Sequence, residues 1–300
     1  MNFRRQNTAD KGQKAYCFAP HFFLRRGLRQ HYWDEGVGDA VVMLHGNPSW
    51  SFYYRHLLAA LKGDYRVIVP DHIGCGLSDK PDDAAYAYTL AQRIDDLEAL
   101  LDSLAVNQRI TLVVHDWGGM IGMGYAVRHP ERIARLVVLN TAAFHLPAAV
   151  PFPLALRICR DTRLGTWLIR KLNIFARTAA YVGCKRNPMP SDLRKVYCSP
   201  YNSWKTRIAT LRFVQDIPLY NDDPSYALVG DISAGLAQFQ DRPMLIAWGE
   251  KDFVFNRPFL NEWLIRFPEA TVHRYADCGH YILEDAAEDL IPKIVAFLAR

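Results

Sequence analysis

"VVHDWGGMIG", residues 113–122, passes from an apolar run through a polar, glycine-rich turn into a second apolar stretch. The apolar run at residues 110–114 reads as a buried strand. It breaks at His115-Asp116-Trp117-Gly118-Gly119, and a helix-like pattern then continues to Arg128. A strand, a tight glycine turn and a helix make an elbow that exposes one side chain at the edge of a sheet. Such an elbow usually presents a serine. Here the side chain is a carboxylate, Asp116, and the reaction has to account for it.

Outward from the elbow, short apolar runs alternate with longer helical patterns. The runs are residues 40–44, 66–70, 110–114, 136–139, 244–248 and 271–275, and residues 90–104 show apolar positions at helical spacing. This alternation predicts βαβ units and a parallel sheet, so the fold class is α/β. Residues 22–34 read as a hairpin feeding into the sheet. The rhythm fails from Thr141 to about Gln240, which holds prolines, aromatics and basic residues but no convincing strand. A hundred residues is too long for a plain loop. We read 141–240 as a helical cap inserted into a core made of 1–140 and 241–300. It should cover the C-terminal strand ends, where open α/β sheets bind ligands.

Composition excludes several classes. The net charge of +5 is mild, and the basic residues are not interleaved with a nucleic-acid motif, so nucleic acid is not an expected partner. Lys185 through Arg212 read as a solvated basic face. The first 17 residues are charged and lack an apolar signal core. The most suggestive apolar run, residues 146–156, holds three prolines and is shorter than the roughly 18 residues a spanning helix needs. Six scattered cysteines form no Cys-x-x-Cys pair, and no Cys/His cluster has zinc spacing. We expect reduced thiols, a cytoplasmic location, no metal and no cofactor.

Three segments end predicted strands with polar residues, which puts them on one edge of the sheet. They are His45-Gly46-Asn47-Pro48, His115-Asp116-Trp117-Gly118-Gly119 and Trp248-Gly249-Glu250-Lys251-Asp252; Cys278-Gly279-His280 follows near the C-terminus. The order nucleophile, acid, histidine fits Asp116 as nucleophile, Asp252 as orienting acid and His280 as base. A serine attacking an sp³ carbon would leave an ether. A carboxylate leaves a cleavable ester and is already ionised at neutral pH. Asp116 therefore points to substitution at a carbon carrying a halide, an epoxide oxygen or a strained lactone oxygen. Asn47 can offer its side-chain N–H to the leaving group, and Trp117 its indole N–H. Their backbone N–H groups complete an oxyanion-type site. His45 and His115 read as structural. "GCGLSDKP" lacks the Gly-Lys-Ser/Thr of a phosphate loop. Trp167 and Trp204 read as cap packing.

With these residues in place, the chain resembles the haloalkane dehalogenase group of the α/β-hydrolase superfamily. The resemblance runs from "HYWDEGVGDAVVMLHGNPSWSFYYR" (31–55) through "PDHIGCGLSDKP" (70–81) and "VVHDWGG" (113–119) to "CGHYILEDAAE" (278–288). It is nearest to the third subfamily, which includes the β-lactone decarboxylases of bacterial long-chain olefin biosynthesis. The resemblance implies an α/β-hydrolase fold, a mostly parallel sheet flanked by helices, and a small lipophilic substrate. It implies a cis-β-lactone decarboxylase, with haloalkane dehalogenase as the alternative. It also implies work beside the β-lactone synthetase and reductase of that pathway. Asn47 counts against an epoxide hydrolase, which usually has an aromatic there. Trp117 counts against a fluoroacetate dehalogenase, which typically has a charge beside the nucleophile. A non-catalytic module on the same fold would often lack one of Asp116, Asp252 and His280, and all three are present.

Overall fold

The computed structural model describes residues 18–148 and 150–300. The charged N-terminal segment, residues 1–17 with Cys17, lies outside them. Three of the predicted strands fall where the apolar runs end: β3 (Ala40–Leu44), β4 (Arg66–Pro70) and β8 (Thr271–Tyr275). The other three run further: β5 (Ile110–Asp116), β6 (Ile133–Thr141) and β7 (Met244–Gly249). The predicted hairpin is β1 (His21–Arg25) and β2 (Leu28–Glu35), paired antiparallel around Arg26-Gly27.

The eight described strands form one sheet in the order β1-β2-β4-β3-β5-β6-β7-β8. From β4 to β8 all neighbours are parallel. Parallel strands are covered on both faces, which is why their residues read as unbroken apolar runs. Alternate side chains divide between two cores. Val42, Leu44, Leu112 and Val114 pack on one face, and Val41, Met43, Val113 and Val137 on the other. The order reverses at β3, whose neighbours are β4 on one side and β5 on the other. The crevice beyond the ends of β3 and β5 is the switch point at which open α/β sheets hold ligands.

Helices α1 (Arg55–Leu61), α2 (Leu90–Ser103) and α3 (Trp117–Arg128) connect the first half of the sheet. Helix α3 starts at the residue after β5, so the elbow is a single residue, Asp116, at φ 52°. That left-handed conformation costs a non-glycine residue about 1–3 kcal/mol. The close approach is possible because Gly118 has no Cβ, which would collide with the carbonyl of Leu44. Thr141 at the end of β6 donates its hydroxyl to the Asp116 carbonyl and ties the strained residue down.

Between β6 and β7 the described chain contains helices and no strand: α4 (Leu154–Asp161), α5 (Arg163–Leu172), α6 (Ile174–Val182), α7 (Ser191–Cys198), α8 (Ile208–Gln215) and α9 (Tyr226–Gly235). Helices α10 (Arg257–Arg266), α11 (Ile282–Asp285) and α12 (Ala287–Leu298) complete the chain. The five described cysteines are free, and Cys75, Cys184 and Cys278 are buried.

Candidate active site

The three polar strand ends do meet. Asp116 stands at the tip of β5, and the turn after β3 brings Asn47 to it. The backbone N–H of Asn47 donates to Asp116 Oδ1 at 2.6 Å. A Cβ at Gly46 would strike the Asp116 side chain, so only glycine allows this turn so near. The backbone N–H of Trp117 also donates to the carboxylate. Burial raises the Asp116 pKa above the ordinary 3.8, while His280 and the two N–H donors act against the rise.

His280 faces the other carboxylate oxygen, with Nε2 3.7 Å from Asp116 Oδ2. Its Nδ1 lies 2.8 Å from Asp252 Oδ2. Burial disfavours the imidazolium, but the charges of Asp252 and Asp116 prevail and raise the His280 pKa above 6.5. Asp252 is fully engaged: it also accepts the Val254 N–H at 2.7 Å and the Asn140 side-chain N–H at 3.0 Å.

The residues read as structural hold this geometry from behind. His115 is buried, is driven neutral by desolvation, and donates from Nε2 to the His280 carbonyl at 2.9 Å. His45 is likewise kept neutral by burial. It donates from Nδ1 to the Gly46 carbonyl at 2.8 Å and accepts the His72 N–H at 3.1 Å. Those two bonds pin the turn that carries Asn47.

Asn47, Asp116, Trp117 and His280 line one cavity of about 380 Å³. The size lies within the range of roughly 300–1,000 Å³ for small-molecule sites. Most of the remaining wall is apolar, with Phe144, Leu146, Phe152, Phe175, Ile217 and Phe255 contributing. The indole N–H of Trp117 makes no hydrogen bond to the described protein, so it is free for a ligand. The Asn47 amide donates one N–H to the Thr210 carbonyl at 3.2 Å, which leaves its second N–H available.

Several contributors escaped the sequence reading. Thr210 and Phe213, both on α8, position the two donors: Thr210 ties Asn47, and Phe213 packs on Trp117 with ring centroids 5.2 Å apart. Asn140 is another. Its Nδ2 donates to Asp252 Oδ2 and to the Gly249 carbonyl, both at 3.0 Å, and its Oδ1 accepts the Gly249 N–H at 2.8 Å. One signal could have found it, since Asn140-Thr141 is a polar pair closing an apolar strand on the same sheet edge. Hydrogen bonds to charged groups contribute about 1.5–3 kcal/mol. Asn140→Ala should therefore slow turnover by about tenfold to a hundredfold, measured as kcat, with Asn140→Gln recovering part of it. Trp167 and Trp204, read as cap packing, are covered only in part. They are 47% and 45% exposed, and neither lines the cavity. On the faces of α5 and of the loop before α8, a large aromatic has been left partly to solvent.

Comparison with known proteins agrees with this architecture. A family model described as alpha/beta hydrolase fold matches residues 39–287. The chain is 62% identical to a cis-3-alkyl-4-alkyloxetan-2-one decarboxylase of Shewanella oneidensis, over 94% of this chain and 88% of that one. It is 32% identical to a haloalkane dehalogenase of Mycobacterium marinum, over 94% of both chains. The solved haloalkane dehalogenase DatA from Agrobacterium tumefaciens superposes with a TM-score of 0.83 at 23% identity, covering 94% of this chain and 96% of that one. The chain belongs to the alpha/beta hydrolase fold family, among the relatives of the haloalkane dehalogenases.

Proposed function

We propose that the chain is a cis-3-alkyl-4-alkyloxetan-2-one decarboxylase, converting a cis-β-lactone to a cis-alkene and carbon dioxide. The supporting observation is a carboxylate at the elbow, set between two free N–H donors beneath an almost wholly apolar cavity, in a chain 62% identical to such an enzyme. Asp116 is the nucleophile, Asn47 and Trp117 hold the leaving oxygen, and His280 and Asp252 complete the site. Helices α4 to α9, within residues 141–240, act as the cap over it.

Asp116 attacks the ring carbon that bears the ring oxygen, with inversion. The C–O bond breaks, and its electron pair stays on a carboxylate held by the Asn47 and Trp117 N–H groups. That carboxylate then leaves as carbon dioxide. Its C–C pair becomes the alkene bond, and the bond to Asp116 returns its pair to the aspartate. Inversion followed by anti elimination preserves the cis geometry. No water needs activating on this route. His280 serves as an imidazolium that stabilises the carboxylate of Asp116 as it departs. An apolar wall favours the second step, because charge leaves the substrate carboxylate as neutral carbon dioxide forms. The reaction needs no cofactor. In its pathway the enzyme works in the cytoplasm beside a β-lactone synthetase and a reductase.

The pH dependence follows. Asp116 must be ionised, and its pKa lies above 3.8, so kcat/KM should fall on the acid side with an inflection above that value. The imidazolium must persist, and its pKa lies above 6.5, so the rate should fall again as pH rises past it. His280→Gln should remove the alkaline limb. A neutral histidine acting as base would give the opposite slope there. The reading as a whole is tested by offering purified enzyme a cis-β-lactone and 1-bromohexane in parallel. Alkene without bromide is the expected result, and bromide without alkene would make the chain a dehalogenase.

A further inference from the structure

The helices between β6 and β7 combine two features that seldom share a surface. Residues 154–212 hold thirteen Lys and Arg against two Asp, within a chain whose net charge is only +5. Large apolar side chains stand exposed among these cations: Leu154 at 71%, Leu164 at 57%, Trp167 at 47% and Tyr181 at 62%.

Helix α5 shows the arrangement most plainly. Gly165 and Ile169 are buried and face the protein. At about 100° per residue, Arg163, Leu164, Trp167 and Lys171 fall on the opposite arc. A helix on a water-soluble surface keeps that arc polar. Here a tryptophan and a leucine alternate with two cations. Neighbouring aromatics are matched with cations as well. The Arg170 guanidinium lies 4.6 Å from the Trp204 ring centroid, and that of Arg194 lies 4.2 Å from the Tyr181 ring. The same region opens the cavity. Ala155 beside Leu154 on α4, and Ile174 and Thr178 on α6, are exposed and also line the cavity wall.

Tryptophan and leucine among basic residues are the composition that seats a helix in the plane of a lipid interface, and the cations are attracted to anionic headgroups. We propose that the outer face of α4, α5 and α6 docks on an anionic phospholipid bilayer, with the mouth of the cavity against the lipid. The attachment is peripheral, since no helix among the described residues is long and apolar enough to cross a membrane. Docking in this way delivers a lipophilic substrate from the bilayer and returns the product to it. That consequence rests on the proposed activity, whereas the docking itself does not.

The test is sedimentation of the purified chain with vesicles of phosphatidylcholine alone and of phosphatidylcholine mixed with phosphatidylglycerol. Binding to the anionic vesicles, release by raised salt and little binding to the neutral ones are expected. The pairs Trp167→Ser with Leu164→Ser, and Arg163→Glu with Lys171→Glu, should each weaken partition by about tenfold or more. Neither pair lines the cavity, so turnover of a short, water-soluble lactone should be unchanged, which also shows that the variants fold. Absence of wild-type binding to anionic vesicles would overturn the proposal, as would binding indifferent to both pairs. Self-association of the free protein that the Trp167 and Leu164 substitutions abolish would assign the face to a second copy instead. Because vesicle binding is read without turnover, a failure here is separate from any failure of the decarboxylase reading.

Discussion

Asp116→Ala should abolish alkene formation, and Asp116→Ser should fail to restore it. Losing the nucleophile of a covalent mechanism costs about 10⁶ in rate where the residue acts as part of a unit. A fall of about 10⁵ or more is therefore expected here, read by gas chromatography of the alkene. The serine variant is the sharper of the two. Its hydroxyl would sit at the same elbow, under the same Asn47 and Trp117 N–H groups, with His280 close by. It could acylate on a lactone carbonyl, but attack at the ring carbon would leave an ether with no route to elimination. Appreciable alkene from Asp116→Ser would mean that chemistry starts at the carbonyl. Both variants should fold, since the backbone bonds that hold the elbow, including the one from Thr141, do not use the Asp116 side chain.

The second large effect concerns the leaving-group donors. Trp117→Phe keeps the ring bulk that packs on Phe213 and deletes the free indole N–H. Removing one preorganised donor to a developing anion costs roughly 10²–10³ in kcat. Asn47→Ala should fall in the same direction and somewhat further, because it also cuts the bond to the Thr210 carbonyl that joins the turn to α8. The two donors hold one group, so the double variant should lose less than the product of the single losses. Rates at the wild-type level in both single variants would place the leaving group elsewhere.

Most of the sheet and the five candidate residues were legible because their signals are local. Buried parallel strands read as apolar runs, and polar residues that end such runs must lie on one edge. Gly118 marks where the elbow meets the β3 backbone, and Gly46 where the turn after β3 meets the Asp116 side chain. Strand ends were read short where a polar residue continues the ladder, as at His115 and Asp116 on β5 and Asn140 and Thr141 on β6. For the same reason Asn140, just past the apolar run at 136–139, is not read as a partner of Asp252. What α8 contributes was not legible at all. The Asn47–Thr210 bond joins residues 163 positions apart, and nothing in the spacing of a helical segment encodes such a contact. The exposure of Trp167 and Trp204 was equally hidden. Large aromatics are usually well buried, and only the fold reveals that these two are half exposed.

On the proposed route Asp116 is esterified at carbon and returned by elimination, without hydrolysis. Turnover of a cis-β-lactone in ¹⁸O-water tests it directly when the alkene and the peptide containing Asp116 are analysed from the same sample. Cis-alkene over many turnovers, with no ¹⁸O in the Asp116 carboxylate, is the expected result. Label accumulating in that peptide as alkene forms would show that water cleaves an ester or anhydride at Asp116, and would contradict that route.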